Sequence, residues 1–262
     1  MARRFKPYTR IAAIWDEIGQ DKFSERMVDY TLQILKRKNF QPRSVLDLCC
    51  GTGTAAIRFA RKGWEVYGLD GSADMLEIAA GKIRKEKVTV RLIHQRLPEF
   101  EIKRTGGLGL KTFDLVTAYY DSLNYLLKEE ELSVCLRNVN RHLNPEGLFI
   151  SDMNTKEALK YLWGEKIYAR AYDKIAWIWQ SLFYERAAQA DLRAICFVRK
   201  GKLWERFEEM HTEKAYPLSV LKRLLHSAGF RVEHLYDCFR FAKPKRKAYR
   251  LAWVARKVRN VS

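Results

Sequence analysis

The chain has 262 residues, 47% of them hydrophobic, which suits one α/β domain with an elaboration and a sizeable core. No apolar run approaches the roughly 18 residues of a membrane span, and Asp16 and Glu17 break the basic N-terminal stretch before any signal-like apolar core, so a cytoplasmic protein is expected. Lysine and arginine exceed aspartate and glutamate by 18, a surplus that serves a polyanion such as RNA or belongs to a thermophile-like background rich in Lys, Arg and Glu.

In chain order, Tyr8 to Lys38 reads as one or two amphipathic helices, with Ile11, Ile14, Trp15 and Ile18 on one face and Val28, Leu32 and Leu35 in a second series. Strands and helices then alternate: a strand at Val45–Leu48, a helix at Thr54–Lys62 closed by Gly63, and a strand at Trp64–Leu69. A helix carrying Met75, Ile78, Ala79 and Ile83 follows, then strands at Val88–Ile93 and Phe113–Ala118. The stretch Lys103-Arg-Thr-Gly-Gly-Leu-Gly precedes a strand rather than a helix, so it reads as a surface turn and not as a phosphate cradle. A helix at Glu129–Leu143, stopped by Asn144-Pro-Glu-Gly147, leads to a fifth strand at Leu148–Ser151. This rhythm implies a parallel sheet covered on both faces.

From Asn154 to Tyr216 the rhythm breaks into an aromatic-rich stretch, read as irregular helix and then meandering strands at Ala176–Glu185, Ala190–Arg199 and Leu203–Thr212. A helix at Leu218–Ser227 and strands at Arg231–Tyr236 and Arg250–Val258 restore the α/β pattern. The expected organisation is an N-terminal helical cover (1–40), a Rossmann-like domain in two parts (41–153 and 217–262) and an inserted lid and acceptor-binding subdomain (154–216). The insertion's tryptophans would roof a site or bury against a second copy, and a lid that also forms a homodimer is the expectation. The scattered cysteines, with Cys49 and Cys50 adjacent rather than in C-x-x-C spacing, read as reduced thiols with no metal site.

Chemistry concentrates at Ser44-Val-Leu-Asp-Leu-Cys-Cys-Gly-Thr-Gly53. A strand, then Gly51-x-Gly53, then a helix is the context a nucleotide-binding turn requires, because glycine lets a ligand approach the amides at the helix start. Asp47 beside that turn would repel a pyrophosphate but attract the ammonium and sulfonium of S-adenosylmethionine, which disfavours an NAD-dependent oxidoreductase. Asp47 could alternatively hydrogen-bond only the turn. Asp70 ends the next strand, where a carboxylate can accept from two ribose hydroxyls, with a helix cap as its blander role.

These stretches, Asp47 to Gly53 and Gly68-Leu-Asp-Gly-Ser-Ala-Asp-Met75, resemble the first two motifs of class I S-adenosylmethionine-dependent methyltransferases. Phe113 to Tyr125 and Leu143 to Asp152 resemble the fourth- and fifth-strand motifs of a small-molecule branch that includes glycine and sarcosine methyltransferases and amino-sugar N,N-dimethyltransferases. The resemblance covers roughly residues 8–153 and 217–256. It implies a doubly wound, mainly parallel seven-stranded sheet with the last strand antiparallel, the lid inserted after the fifth strand, and S-adenosylmethionine as cofactor. Carried over, Gly51 and Gly53 line the methionine end, Asp70 holds the ribose, Gly71 and Met75 flank the adenine, and Tyr119 sits near the reactive methyl. Tyr8, Cys49 and Leu97 complete the expected cofactor contacts. The family usually has an Asp after the third strand to accept from the adenine amino group, where this chain reads His94-Gln-Arg-Leu97. Arg96 cannot accept a hydrogen bond, so Gln95 or a backbone carbonyl must substitute.

In-line transfer from a sulfonium needs no metal, and a base matters only for an acceptor that is protonated. Tyr119-Tyr-Asp-Ser122 lacks the Pro-Pro-aromatic motif of adenine methyltransferases, and no cysteine stands at the fourth or fifth strand end for a nucleophilic RNA mechanism. Tyr120, Asp121, Asn124, Asp152 and Asn154 fall at the strand ends where open α/β sheets bind ligands, and are the candidate contacts to the methyl acceptor. Alternation in Arg206-Phe-Glu-Glu-Met-His211-Thr-Glu213 puts Glu209, His211 and Glu213 on one face, and an imidazole there could take a proton from an amine. Tyr120, Asp121 and His211 are therefore the catalytic candidates. The cationic loop Ala242-Lys-Pro-Lys-Arg-Lys-Ala248 would favour an anionic acceptor, an RNA backbone, or simply water. Methyl transfer to a small-molecule amine is the expected activity. A tRNA or rRNA methyltransferase is the alternative, and a non-catalytic nucleotide- or RNA-binding module the second.

Overall fold

The computed structural model describes residues 4–104, 106 and 109–260, so residues 105, 107 and 108 of the glycine-rich stretch lie outside it. Its elements are β1 (Arg4–Phe5), α1 (Asp21–Arg37), β2 (Ser44–Leu48), α2 (Thr54–Ala60), β3 (Glu65–Asp70), α3 (Ala73–Glu86) and β4 (Arg91–His94). Then come β5 (Phe113–Ala118), α4 (Glu129–Arg141), β6 (Leu143–Asn154), α5 (Lys156–Ala158), β7 (Lys166–Ala171) and β8 (Ile175–Tyr184). The series ends with β9 (Gln189–Lys200), β10 (Leu203–Lys214), α6 (Leu218–Ser227), β11 (Phe230–Asp237) and β12 (Arg250–Lys257).

Seven strands form one sheet in the order β11-β12-β6-β5-β2-β3-β4, with β12 antiparallel to both neighbours and the other pairs parallel. This is the doubly wound arrangement the alternation implied. Every residue of β2 is buried, Asp47 included, because helices cover both faces. One core cluster packs Leu46, Leu48, Phe113, Val116 and Phe149 under α4 and α6; another packs Val45, Leu115, Leu148 and Ile150 under α1 and α2. The order reverses between β2 and β5, so the crevice at their C-terminal ends is where such a sheet takes a ligand.

The insertion builds a second sheet, β1-β10-β9-β8-β7, antiparallel except where β1 runs parallel to β10. The strands expected at 176–185, 190–199 and 203–212 are present, the first shifted by one residue and the other two each two residues longer. Strand β7 replaces part of the irregular helix expected there. All six of its residues are exposed, so no burial pattern marked it, and only its ladder to β8 makes it a strand. A core of Ile11, Ile14, Ile18, Ile175, Trp177 and Phe207 joins this sheet to the N-terminal segment. Strand β6 starts five residues before the expected Leu148, because Leu143 pairs with Phe113 across an irregularity formed by the Pro-Glu-Gly turn. Among the described residues no helix is long and apolar enough to cross a membrane.

Candidate active site

The chain leaves β2 through a turn in which Cys49, Gly51 and Gly53 all have left-handed backbones (φ 54°, 53° and 78°). Gly53 caps α2, and a Cβ there would stand 3.0 Å from Cβ of Ala79 on α3, so glycine lets the two helices close. Asp70, at the end of β3, accepts from the Gly51 amide through Oδ2 and from the Ser72 amide through Oδ1, each at 2.8 Å. Its carboxyl thus ties both turns together. Burial raises its pKa, and the donated amides offset part of that rise.

Beneath the turn lies a cavity of about 330 Å³. Asp47, Cys49, Gly51, Asp70, Gly71 and Met75 line it, as do Arg96, Leu97 and Tyr119. Tyr8 forms part of its roof. Gly53 and Gln95 do not line it. Gly53 is taken up in the contact with Ala79, and the Gln95 amide is spent on the backbone of Glu101, accepting at 3.0 Å and donating at 3.1 Å. Gly71 is required here because a Cβ would sit 2.8 Å from Cγ of Arg96, whose stem covers that wall.

The donor set fits S-adenosylmethionine on one observation in particular. Thr117 satisfies Oδ1 of Asp47, while Oδ2 is buried without any protein partner. An acceptor-only oxygen on a cavity wall is a position that a ligand ammonium would fill. Burial raises the Asp47 pKa to about 7.

The roof is laced down at several points. Glu209, fully buried, accepts the amides of Tyr8, Arg10 and Ile11 at 2.7, 2.6 and 2.9 Å. Ser72 Oγ donates to the Tyr8 carbonyl at 2.5 Å. Asp16 accepts from Thr52 at 2.7 Å and pairs with Lys82 at 2.6 Å, which also donates to Thr54. The N-terminal segment is therefore bound to the glycine turn on one side and to β10 on the other.

A smaller cavity of about 70 Å³ adjoins the first and shares Tyr8, Trp15, Tyr120 and Tyr125 with it. Asp121, His211 and Glu213 line it, with Trp163 and Trp179 from the insertion. The three catalytic candidates therefore meet here. Tyr120 and Asp121 both have positive φ (59° and 53°), held by donation of their amides to Asp152 at 2.8 and 3.2 Å. Arg250 pairs with Asp152 and lies 3.2 Å from Asp121. Asn154 donates to Asp121 and to Glu213 through one side-chain nitrogen, which brings the two buried carboxyls together. Burial first, and the Asp121 charge second, push Glu213 well above the usual carboxyl range.

His211 Nδ1 is 2.9 Å from Tyr125 Oη, which is 2.6 Å from Tyr8 Oη; Nε2 stands 3.4 Å from Glu209. Burial keeps both phenols neutral. Asn124 and Asp152, expected as acceptor contacts, instead position the strand ends: Asn124 brackets the Asn154 backbone and donates to the Lys214 carbonyl. The cationic loop does stand on this edge, but Lys245 and Lys247 line a separate open groove. Phe23, stacked on Tyr120 at 4.4 Å and edge-on to Phe239, divides it from the cavity. Sequence reasoning missed Gln20 and Arg250, which carry no local motif, and gave no role to Tyr125, which ends the fourth-strand motif.

The sequence profile of the family described as "Methyltransferase domain" matches residues 45–147. A Geobacillus sp. (strain WCH70) protein provisionally named a methyltransferase is 29% identical over 95% of this chain and 99% of its own. The dTDP-3-amino-3,4,6-trideoxy-alpha-D-glucopyranose N,N-dimethyltransferase of Streptomyces venezuelae is 24% identical over 77% of this chain and 81% of its own. Among solved structures, an S-adenosylmethionine-dependent methyltransferase from Clostridium acetobutylicum superposes with a TM-score of 0.83 at 26% identity, covering 94% of this chain and 97% of its own.

Proposed function

We propose, for a chain that is a class I S-adenosylmethionine-dependent methyltransferase, that the methyl acceptor is an amine nitrogen of a small molecule. The observation that carries this reading is the lining of the smaller cavity: Asp121, Glu213, His211 and aromatic rings, with no lysine or arginine among them. A cationic acceptor suits such walls and an anionic one does not. The amine-modifying sugar methyltransferase among the relatives supports the same class.

Bound in the larger cavity, S-adenosylmethionine supplies a methyl group on a sulfonium. In the proposed arrangement Asp47 Oδ2 meets its ammonium, Asp70 its ribose, and Gly71 with Met75 its adenine. With Gln95 committed to Glu101, a backbone carbonyl serves the adenine amino group. Tyr8, Trp15, Tyr120 and Tyr125, common to both cavities, shape the passage and exclude water. His211 takes the proton that an ammonium acceptor must lose, directly or through Tyr125, and Glu209 holds the imidazole from behind.

The test is formation of S-adenosylhomocysteine with a panel of small amines, matched alcohols and bulk tRNA at low and high salt. Amine-dependent turnover that salt leaves unchanged is expected. Turnover with tRNA alone, falling steeply with salt, would instead establish the RNA reading.

A further inference from the structure

Among the described residues three indole N–H groups are buried without a protein acceptor, those of Trp177, Trp179 and Trp253. Trp253 packs with Phe149 in the core under α4 and α6, and Trp177 packs with Ile11, Ile14 and Phe207 in the core of the insertion. Neither lines either cavity. Trp179 does: it borders the smaller cavity, with Trp177 stacked on its ring at 4.5 Å. Opposite it on β9 stands Ala194, another lining residue, whose short side chain leaves room beside the indole. A buried N–H on a cavity wall, with no acceptor from the protein, is a position for a ligand oxygen.

The same cavity also presents acceptors. Arg250 and Asn154 both donate to Asp121 through Oδ2, and Asn154 donates to Glu213 through Oε2. Among the described residues no protein N–H donates to Asp121 Oδ1 or Glu213 Oε1, so each carboxyl keeps one oxygen for a ligand. Other polar groups on the wall are already matched: Gln20 Oε1 accepts from the Tyr120 hydroxyl at 2.5 Å, and His211 Nδ1 stands 2.9 Å from the Tyr125 hydroxyl. What is left is a pair of acceptor oxygens and one donor around a space of about 70 Å³. A small molecule with amine N–H groups and a nearby oxygen matches that set. The oxygen is uncharged, because the lining holds no lysine or arginine and its two carboxyls would repel a third.

Resting on the amine reading above, we propose that Trp179 is a specificity-determining residue: its indole N–H holds an uncharged oxygen (hydroxyl, ether or carbonyl) of the molecule whose nitrogen is methylated. The ammonium meets Asp121 Oδ1 and Glu213 Oε1 as it enters, and Trp179 selects among the amines that do so. An alkylamine of the same size covers the indole N–H and leaves it unpaired, which is how a polar group in a pocket rejects an apolar isostere. An amino acid fits the indole but carries a carboxylate to acidic walls. One N–H therefore separates oxygen-bearing amines from plain ones, and the two carboxyls separate both from amino acids.

The experiment titrates the protein, saturated with S-adenosylhomocysteine, with two isosteric pairs, ethanolamine against propylamine and methoxyethylamine against butylamine, and with glycine. In each pair the oxygen compound should bind the wild type about tenfold more tightly. The ether is the sharper probe, since its oxygen accepts but cannot donate to a carboxyl. In Trp179→Phe the preference within each pair should vanish, while alkylamine affinity, S-adenosylhomocysteine affinity and melting temperature stay at wild-type values. The indole N–H resonance that this substitution deletes should move with methoxyethylamine and not with butylamine. If the variant does not fold, the wild-type pairs alone decide. Equal binding within the pairs, or a preference that survives Trp179→Phe, would overturn the proposal and leave the amine reading intact, as would glycine binding as tightly as ethanolamine. Failure of all four amines to bind, with S-adenosylhomocysteine binding normal, would overturn both.

Discussion

Thr117 Oγ1 donates to Asp47 Oδ1 at 2.7 Å, while Oδ2 of the same buried carboxyl has no protein partner. Half of this carboxyl is thus committed to the fold and half is left for a ligand. Burial raises its pKa to about 7, above the unfolded value of about 3.8. A carboxyl raised in the folded state favours folding at low pH; that advantage declines as pH rises from about 4 and is gone above about 7. Across that window Asp47→Asn should become progressively more stable than the wild type, by an amount on the order of 4 kcal/mol at most. Thermal melting of the ligand-free proteins at pH 4, 5.5 and 7 checks this. Between pH 6 and 7.5 the wild type should bind S-adenosylmethionine more tightly as pH rises, and Asp47→Asn should lose that dependence.

Glu209 receives three backbone amides of the segment that roofs the cofactor cavity. Glu209→Gln turns one of its oxygens into a donor facing donors, so stability should fall by about 2 kcal/mol. Cofactor affinity should fall as well, and limited proteolysis should cut earlier within residues 6–20. Urea unfolding and calorimetry measure the first two effects, and a timed digest the third.

Among the described residues Arg250 is the one cation paired with Asp121 and Asp152. Removing it in Arg250→Met strands two buried carboxylates, and a loss of about 3–5 kcal/mol is expected in urea unfolding. Adding Asp152→Asn to that variant should restore part of the loss, because one stranded charge is then neutral.

His211→Asn should lower kcat about tenfold to a hundredfold for a primary or secondary amine near neutral pH, with S-adenosylhomocysteine affinity unchanged. Because a tertiary amine releases no proton, the same variant should methylate it nearly as fast as the wild type. Initial rates with paired secondary and tertiary amines decide between a proton acceptor and a packing residue.

The sheet was legible because its central strands are short apolar runs between turn residues; Val45–Leu48 and Phe113–Ala118 could hardly be anything else. The cofactor turn was legible for a different reason. Asp47 is a charge inside a buried strand, and such a residue needs a cause. What stayed hidden depends on partners far along the chain. Arg250 meets Asp152 and Asp121 across 98 and 129 positions, and the Tyr8–Tyr125–His211 series joins three separate segments. Alternation in β10 did put Glu209, His211 and Glu213 on one face, yet it could not tell that the first anchors backbone, the second meets a phenol and the third joins a carboxyl pair. Gln95 shows the opposite failure. It stands at the expected distance along the chain, but the loop to Glu101 consumes its amide.

On the reading proposed above, the cavity below Gly51 takes S-adenosylmethionine through Asp70 and Asp47. Calorimetric titration of the wild type, Asp70→Ala and Asp47→Asn with S-adenosylhomocysteine, with NAD as the control, tests it most directly. Micromolar binding by the wild type, weakened about tenfold or more by Asp70→Ala, is the predicted result, since one or two hydrogen bonds to a charged group are lost. Equal binding by wild type and Asp70→Ala, or a preference for NAD, would contradict it.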